Sequence, residues 1–184
     1  MIAIPNPIDP AEYLSLEHQS PIRHEYRRGL VYAMAGGSDR HDRIISNLLT
    51  LLNLHLGDSR DCRFFGGGVK VNYKNQFYYY PDAFVTFDSR DREDRQIKRH
   101  PKLIVEVLSP GTQTFDSGDK FDDYRQLNSL EEYVLIAQDR QTVEIRRRAA
   151  DNTWQIAHYG PGDRPALQSI RLDFPISDLY RGLD

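Results

Sequence analysis

With 184 residues, 24 of them basic and 27 acidic, the chain is sized for one domain with a substantial core and lacks the cationic balance of a protein that coats nucleic acid. A single cysteine, Cys62, excludes an intramolecular disulfide and a thiolate-rich zinc site. No apolar run approaches the ~18 residues of a spanning helix, and Met1 to Pro5 carry no basic stretch ahead of an apolar core, so a cytoplasmic protein without membrane association is expected.

Asp9-Pro10 opens a short capped helix through Glu17, with Asp at the cap and Pro at the first helical position. The stretches 23–28 and 30–35 flank Gly29 as a hairpin. Ser38 caps a long helix whose apolar residues Ile44, Ile45, Leu48, Leu52 and Leu56 recur every three or four positions, which suits packing flat on a sheet. After a turn at Gly66-Gly67-Gly68, residues 69–73 and 77–87 read as a second hairpin around Lys74-Asn75. The charged run 88–99 reads as a solvated loop. Leu103 to Leu108 is nearly all apolar, as in a strand buried on both faces, and Ser109-Pro110-Gly111 ends it. A helix over 116–128 with Phe121, Tyr124 and Leu127 inward follows, then a buried strand over 133–137. Residues 142–147 and 154–159 alternate like exposed antiparallel strands, and a tail helix starts near Ile176. No repeat or composition break splits the chain. The order predicts one α/β domain over residues 1–184: a helix and hairpin over 1–37, a core over 38–137, and antiparallel strands with a tail helix over 138–184.

Two segments carry the chemistry. Asp82 lies in Tyr79-Tyr80-Pro81-Asp82-Ala83-Phe84-Val85, and Glu106 lies in Leu103-Ile104-Val105-Glu106-Val107-Leu108-Ser109, 24 positions later (106 − 82). An ionised carboxylate among such neighbours costs several kcal/mol unless a cation compensates it. If the segments are adjacent strands, the two acids can share a divalent metal, the footprint of a metal-dependent phosphodiesterase.

The order of Pro81-Asp82, Glu106 in an apolar strand, a helix and a further strand resembles the PD-(D/E)xK nuclease superfamily. More closely, Glu25, Gly29, Met34, His41, Pro81-Asp82, Glu106-Val107-Leu108-Ser109-Pro110, Asp119-Lys120, Tyr124 and Glu132-Tyr133 resemble the Uma-two-type endonucleases, over roughly residues 13–147. The resemblance implies a restriction-endonuclease-like core: a central mixed sheet flanked by helices, with additional antiparallel strands. It implies a DNA endonuclease whose catalytic residues are Asp82, Glu106 and Lys120, with Mg²⁺ or Mn²⁺ held by Asp82, Glu106 and the Val107 carbonyl. The superfamily lysine two places after the glutamate is Leu108 here, and the Uma-two pattern moves it to the following helix, as Lys120. A long ammonium arm tolerates that move.

Lys120 could equally be a surface residue paired with Asp116 or Asp123 at helical spacing. Glu25 and His41 match family positions as supporting residues. The bland readings are an exposed hairpin glutamate and a core histidine, since His41 shares the inward face with Ile45, Leu48 and Leu52. Tyr78-Tyr79-Tyr80 could offer a ring to a base or merely pack the sheet, and Arg146-Arg147-Arg148 is too short for a binding patch. Cutting both strands of a duplex calls for two sites, hence a homodimer. The alternative is a non-catalytic nucleic-acid-binding or assembly module on the same fold, which Leu108 and the acidic net charge favour.

Overall fold

The computed structural model describes residues 7–34 and 36–183. Helix α1 (Pro10–Gln19) begins where the Asp9 carboxylate accepts from the Ala11 amide at 2.8 Å. Strands β1 (His24–Arg27) and β2 (Leu30–Ala33) form the expected hairpin. Its turn holds Arg28 at φ 49° and Gly29 at φ 92°, and a Cβ on Gly29 would fall 2.3 Å from the Pro7 Cβ, so glycine is required there. Helix α2 (Asp39–Leu56) is capped by the Ser38 hydroxyl. There follow β3 (Arg63–Gly66), β4 (Lys70–Tyr73), β5 (Phe77–Tyr79), β6 (Ala83–Thr86), β7 (Ile97–Lys98) and β8 (Leu103–Leu108). A helical segment then runs as α3 (Gln113–Phe115), a π-helical turn (Asp116–Lys120) and α4 (Phe121–Tyr124). Strands β9 (Glu132–Ala137), β10 (Val143–Arg148), β11 (Trp154–Tyr159), β12 (Ala166–Leu167) and β13 (Leu172–Asp173) complete the order.

These strands make a six-stranded mixed sheet, β11-β10-β9-β8-β6-β3, a five-stranded sheet, β2-β1-β5-β4-β7, and a small β12-β13 ribbon. In the larger sheet β8 and β9 are parallel and joined through the segment over 113–124, the crossover that a parallel pair needs. Helix α2 lays Ile44, Leu48 and Leu52 on one face of this sheet against Val85, Val105 and Val107. The other face, with Phe84, Ile104 and Leu135, packs on Phe77 and Tyr79 of the smaller sheet and on Tyr124 and Leu127. Helix α1 covers the far side of the smaller sheet, where Tyr13 stacks on Tyr26 at 5.1 Å. No helix among the described residues is long and apolar enough to cross a membrane.

Four expectations change. The run 77–87 is two strands in two sheets, because Pro81 has no amide for a ladder and the Tyr80 amide donates to Glu25 Oε1 at 2.9 Å. The third helix begins at Gln113 and stops at Tyr124. Beyond it the Arg148 guanidinium takes the carbonyls of Arg125, Leu127 and Leu130 at 2.7 to 2.8 Å, holding the chain in turns. The tail helix is one 3-10 turn, Ile176–Asp178. The charged run is built rather than wholly solvated: Asp91 and Lys98 are 3% and 2% exposed. The Asp91 carboxylate accepts from Thr86 Oγ1 and the amides of Arg99 and His100, while Lys98 Nζ donates to the carbonyls of Asp91 and Asp94.

Asp91→Ala therefore strands the two backbone donors of Arg99 and His100, and should cost about 3 kcal/mol in urea unfolding. Amide exchange at Arg99 and His100 should quicken with it; unchanged exchange would mean the loop does not depend on this carboxylate.

Candidate active site

Strands β6 and β8 are antiparallel neighbours with Ala83 opposite Val105. One step further, side chains take over from backbone carbonyls: the Val107 amide donates to Asp82 Oδ2 at 2.7 Å and the Asp82 amide to Glu106 Oε2 at 3.3 Å. The two acids therefore meet at the open end of one strand pair, each held by the other's strand. The corner at Pro81 lets this happen, since Asp82 lies outside the ladder with its amide free to turn toward Glu106.

The π-helical turn brings up the ammonium. It carries Asp116 and Lys120, 4% and 5% exposed, whose i,i+4 spacing puts both on its inward face, and such turns occur often at functional sites. Lys120 Nζ lies 3.1 Å from Glu25 Oε1, 3.1 Å from Glu106 Oε1 and 3.4 Å from Asp116 Oδ1, over the face of Tyr79. The surface-pairing alternative is thus half realised: Asp116 is a partner, but in the interior. Asp123 instead accepts from Arg27, Arg28 and the Tyr79 hydroxyl. Glu25 is buried, against the exposed-hairpin reading.

His41 reaches the same cluster from α2, with Nε2 3.2 Å from Asp82 Oδ2. Its Nδ1 is buried with no hydrogen-bond partner among the described residues. A Cβ on Gly37 would come within 2.8 Å of that nitrogen, so the backbone passes close against the ring. Asp82, Glu106, Lys120, Glu25 and His41 all join one connected group, and the Val107 amide takes part in it.

A sequence profile described as "Uma2: Putative restriction endonuclease" matches residues 10–177. The chain belongs to the Uma2 family. It is 40% identical over 177 residues to the uncharacterized protein slr1290 of Synechocystis, covering 96% of this chain and 93% of that one. It is 35% identical over 147 residues to sll1609 of the same organism, covering 78% and 82%. A crystal structure described as a putative nuclease belonging to DUF820, from Anabaena variabilis, superposes with a TM-score of 0.80 over 95% of this chain and 98% of that one. At 21% identity it establishes the fold that this Uma2 chain shares.

Charge dominates the chemistry of this cluster. Burial pulls the Lys120 pKa down, but Glu106, Glu25 and Asp116 outweigh it, so the ammonium stays protonated with its pKa well above the usual lysine value. Burial pushes Glu106 well up; Lys120 opposes that, while Asp116, Asp82 and Glu25 add to it. One ammonium shared among several acids leaves Glu106 short of positive charge. A divalent ion would relieve that deficit, and the carboxylate and carbonyl oxygens at the strand ends are hard donors of the kind Mg²⁺ or Mn²⁺ takes. Among the described residues no three or more His, Cys, Asp or Glu side chains form a ready coordination group, so any such ion would have to rely on carbonyl and water oxygens as well.

Two participants went unread in the sequence. The Tyr124 hydroxyl donates to Glu106 Oε1 at 3.3 Å, although Tyr124 had only a packing role, and Tyr79 supplies a ring beneath the ammonium. The family motif containing Tyr124 was the available signal; Tyr79 stood out only as one of three neighbouring rings for a base or for sheet packing. Tyr78, Tyr79 and Tyr80 are all buried, which removes them as base-stacking rings. Arg146, Arg147 and Arg148 are tied to Glu144, Glu132 and backbone carbonyls.

Lys120→Met should destabilise the fold by about 3 to 5 kcal/mol, because it leaves buried acids uncompensated, and adding Glu106→Gln should recover part of the loss in denaturant titration. His41 is a second check: its hydrogen bond to Asp82 raises its pKa above 6.5 against the lowering effect of burial. The pair's stabilisation is then complete below about pH 6.5 and fades as pH rises through the folded-state value. Histidine NMR titration in EDTA should place His41 above 6.5, and lower in Asp82→Asn; an equal value in both proteins would dissociate the pair.

Proposed function

We propose that the chain is a Mg²⁺- or Mn²⁺-dependent endonuclease that hydrolyses phosphodiester bonds of DNA, with Asp82, Glu106 and Lys120 as its catalytic residues. The observation that carries this reading is the meeting of Asp82 and Glu106 at the end of one strand pair, with the Lys120 ammonium 3.1 Å from Glu106. The printed descriptions of the family, "Putative restriction endonuclease", and of the structural neighbour, "a putative nuclease", point the same way.

Asp82, Glu106 and the Val107 carbonyl would hold the ion. Bound there, it would supply a Lewis acid that polarises the phosphate and acidifies water. Lys120 stays protonated, so it acts as a donor and fixed positive charge toward the nucleophilic water or the phosphoryl oxygens, never as the base. Glu25 and Asp116 hold that ammonium in place, and Tyr124 fixes the Glu106 carboxylate. His41 orients Asp82 and, when protonated, adds a second positive charge beside it. A two-fold homodimer would set a second site against the opposite strand of a duplex.

The non-catalytic alternative draws on the lack of a ready coordination group among the described residues. Calorimetric titration with Mn²⁺, run beside a DNA cleavage assay, separates the two. The wild type should bind Mn²⁺ and cleave, with EDTA abolishing cleavage. Asp82→Asn and Glu106→Gln should each lose the bound ion and at least about 100-fold in rate, and Lys120→Gln a similar factor in rate. Wild-type cleavage by both acid variants would contradict the assignment, and no Mn²⁺ binding at millimolar concentration would favour the binding module.

A further inference from the structure

The inward face of the five-stranded sheet is only partly covered. Glu25 and Arg27 of β1 point toward the helical segment over 113–124, as their contacts with Lys120 and Asp123 require. In β2 the residues directly opposite them are Tyr32 and Leu30, and cross-strand partners share a face. The segment covers these two incompletely, leaving Tyr32 44% and Leu30 45% exposed. Tyr32 is the direct neighbour of the glutamate that holds the catalytic ammonium.

Tyr32 is also supported from behind. Its ring lies 6.1 Å from that of Phe115, in the residue before the π-helical turn. Phe115 is itself held edge-on by Tyr79 at 5.9 Å, with the Arg27 guanidinium over its face. The Tyr32 hydroxyl makes no hydrogen bond among the described residues, and the ring packs on Phe115 with 44% of the residue open to solvent.

We propose that Tyr32, backed by Phe115, is a stacking platform for an unpaired nucleobase next to the scissile phosphate, which makes single-stranded, frayed or flipped DNA the preferred substrate. The inference rests on the nuclease reading above. An exposed ring one strand away from the ammonium suits a base, because every base offers a π face and the sugar-phosphate on either side of it falls toward the cations. Bases inside a duplex have both faces covered by their neighbours, so only an unpaired or extruded base can use the platform. The competing occupant is β2 of a second copy, since β2 is a sheet edge among the described residues.

The test uses a single-stranded DNA of about 12 nucleotides carrying one 2-aminopurine, titrated into the full chain with Ca²⁺ in place of Mn²⁺ to block cleavage. Wild type and Tyr32→Phe should bind with equal affinity and the same change in 2-aminopurine emission. Tyr32→Ala should bind about tenfold more weakly or worse, with Mn²⁺ affinity unchanged by calorimetry and with its cleavage preference for single-stranded over duplex DNA reduced. Equal DNA affinity in Tyr32→Ala would overturn the platform while leaving the nuclease reading intact. So would sedimentation in which Tyr32→Ala converts a dimer into a monomer, which assigns the edge to a second copy. A wild type that binds Mn²⁺ but neither binds nor cuts any DNA would overturn both.

Discussion

The Lys120 ammonium is the constraint around which the interior is arranged. Glu25 comes from the smaller sheet, Glu106 from the larger one, and Asp116 from the helical segment between them, and all three lie within 3.4 Å of one nitrogen. A buried carboxylate without a compensating cation costs more than most single contacts in a domain supply. The three structural units are therefore obliged to meet at this point. The same arrangement carries a surplus of acid over base, which stability alone does not call for, since apolar residues of similar volume would serve as well or better.

Two backbone irregularities lie at the convergence. Pro81 lies in the link between β5 and β6, which belong to different sheets, so Asp82 stands at a corner instead of in a ladder. The π-helical turn carries residues 116 and 120, whose i,i+4 spacing sets them together on its inward face. Each departs from regular structure where the chemistry is concentrated, as expected when local rules yield to a site.

The sequence was most legible where apolar spacing was strong. Ile44, Leu48 and Leu52 marked the buried face of α2, and Leu103 to Val107 marked a strand covered on both sides; both expectations hold. It was misleading where polar groups decide the path. The charge-rich run over 88–99 conceals the buried Asp91 and Lys98, because composition cannot tell which charges find internal partners. The early end of the third helix depends on Arg148, which is distant in sequence. In the site, Asp82 and Glu106 stood out as lone acids in apolar stretches. The burial of Glu25 and the exposure of Tyr32 were hidden, because a hairpin does not disclose which of its faces another element will cover.

The most direct test of the central claim is anomalous diffraction from crystals grown with Mn²⁺. The account predicts a single strong peak against the carboxylates of Asp82 and Glu106 and the Val107 carbonyl, with Lys120 still paired to Glu25 and Asp116. Absence of a peak there at millimolar Mn²⁺, or a peak confined to surface acids, would contradict it.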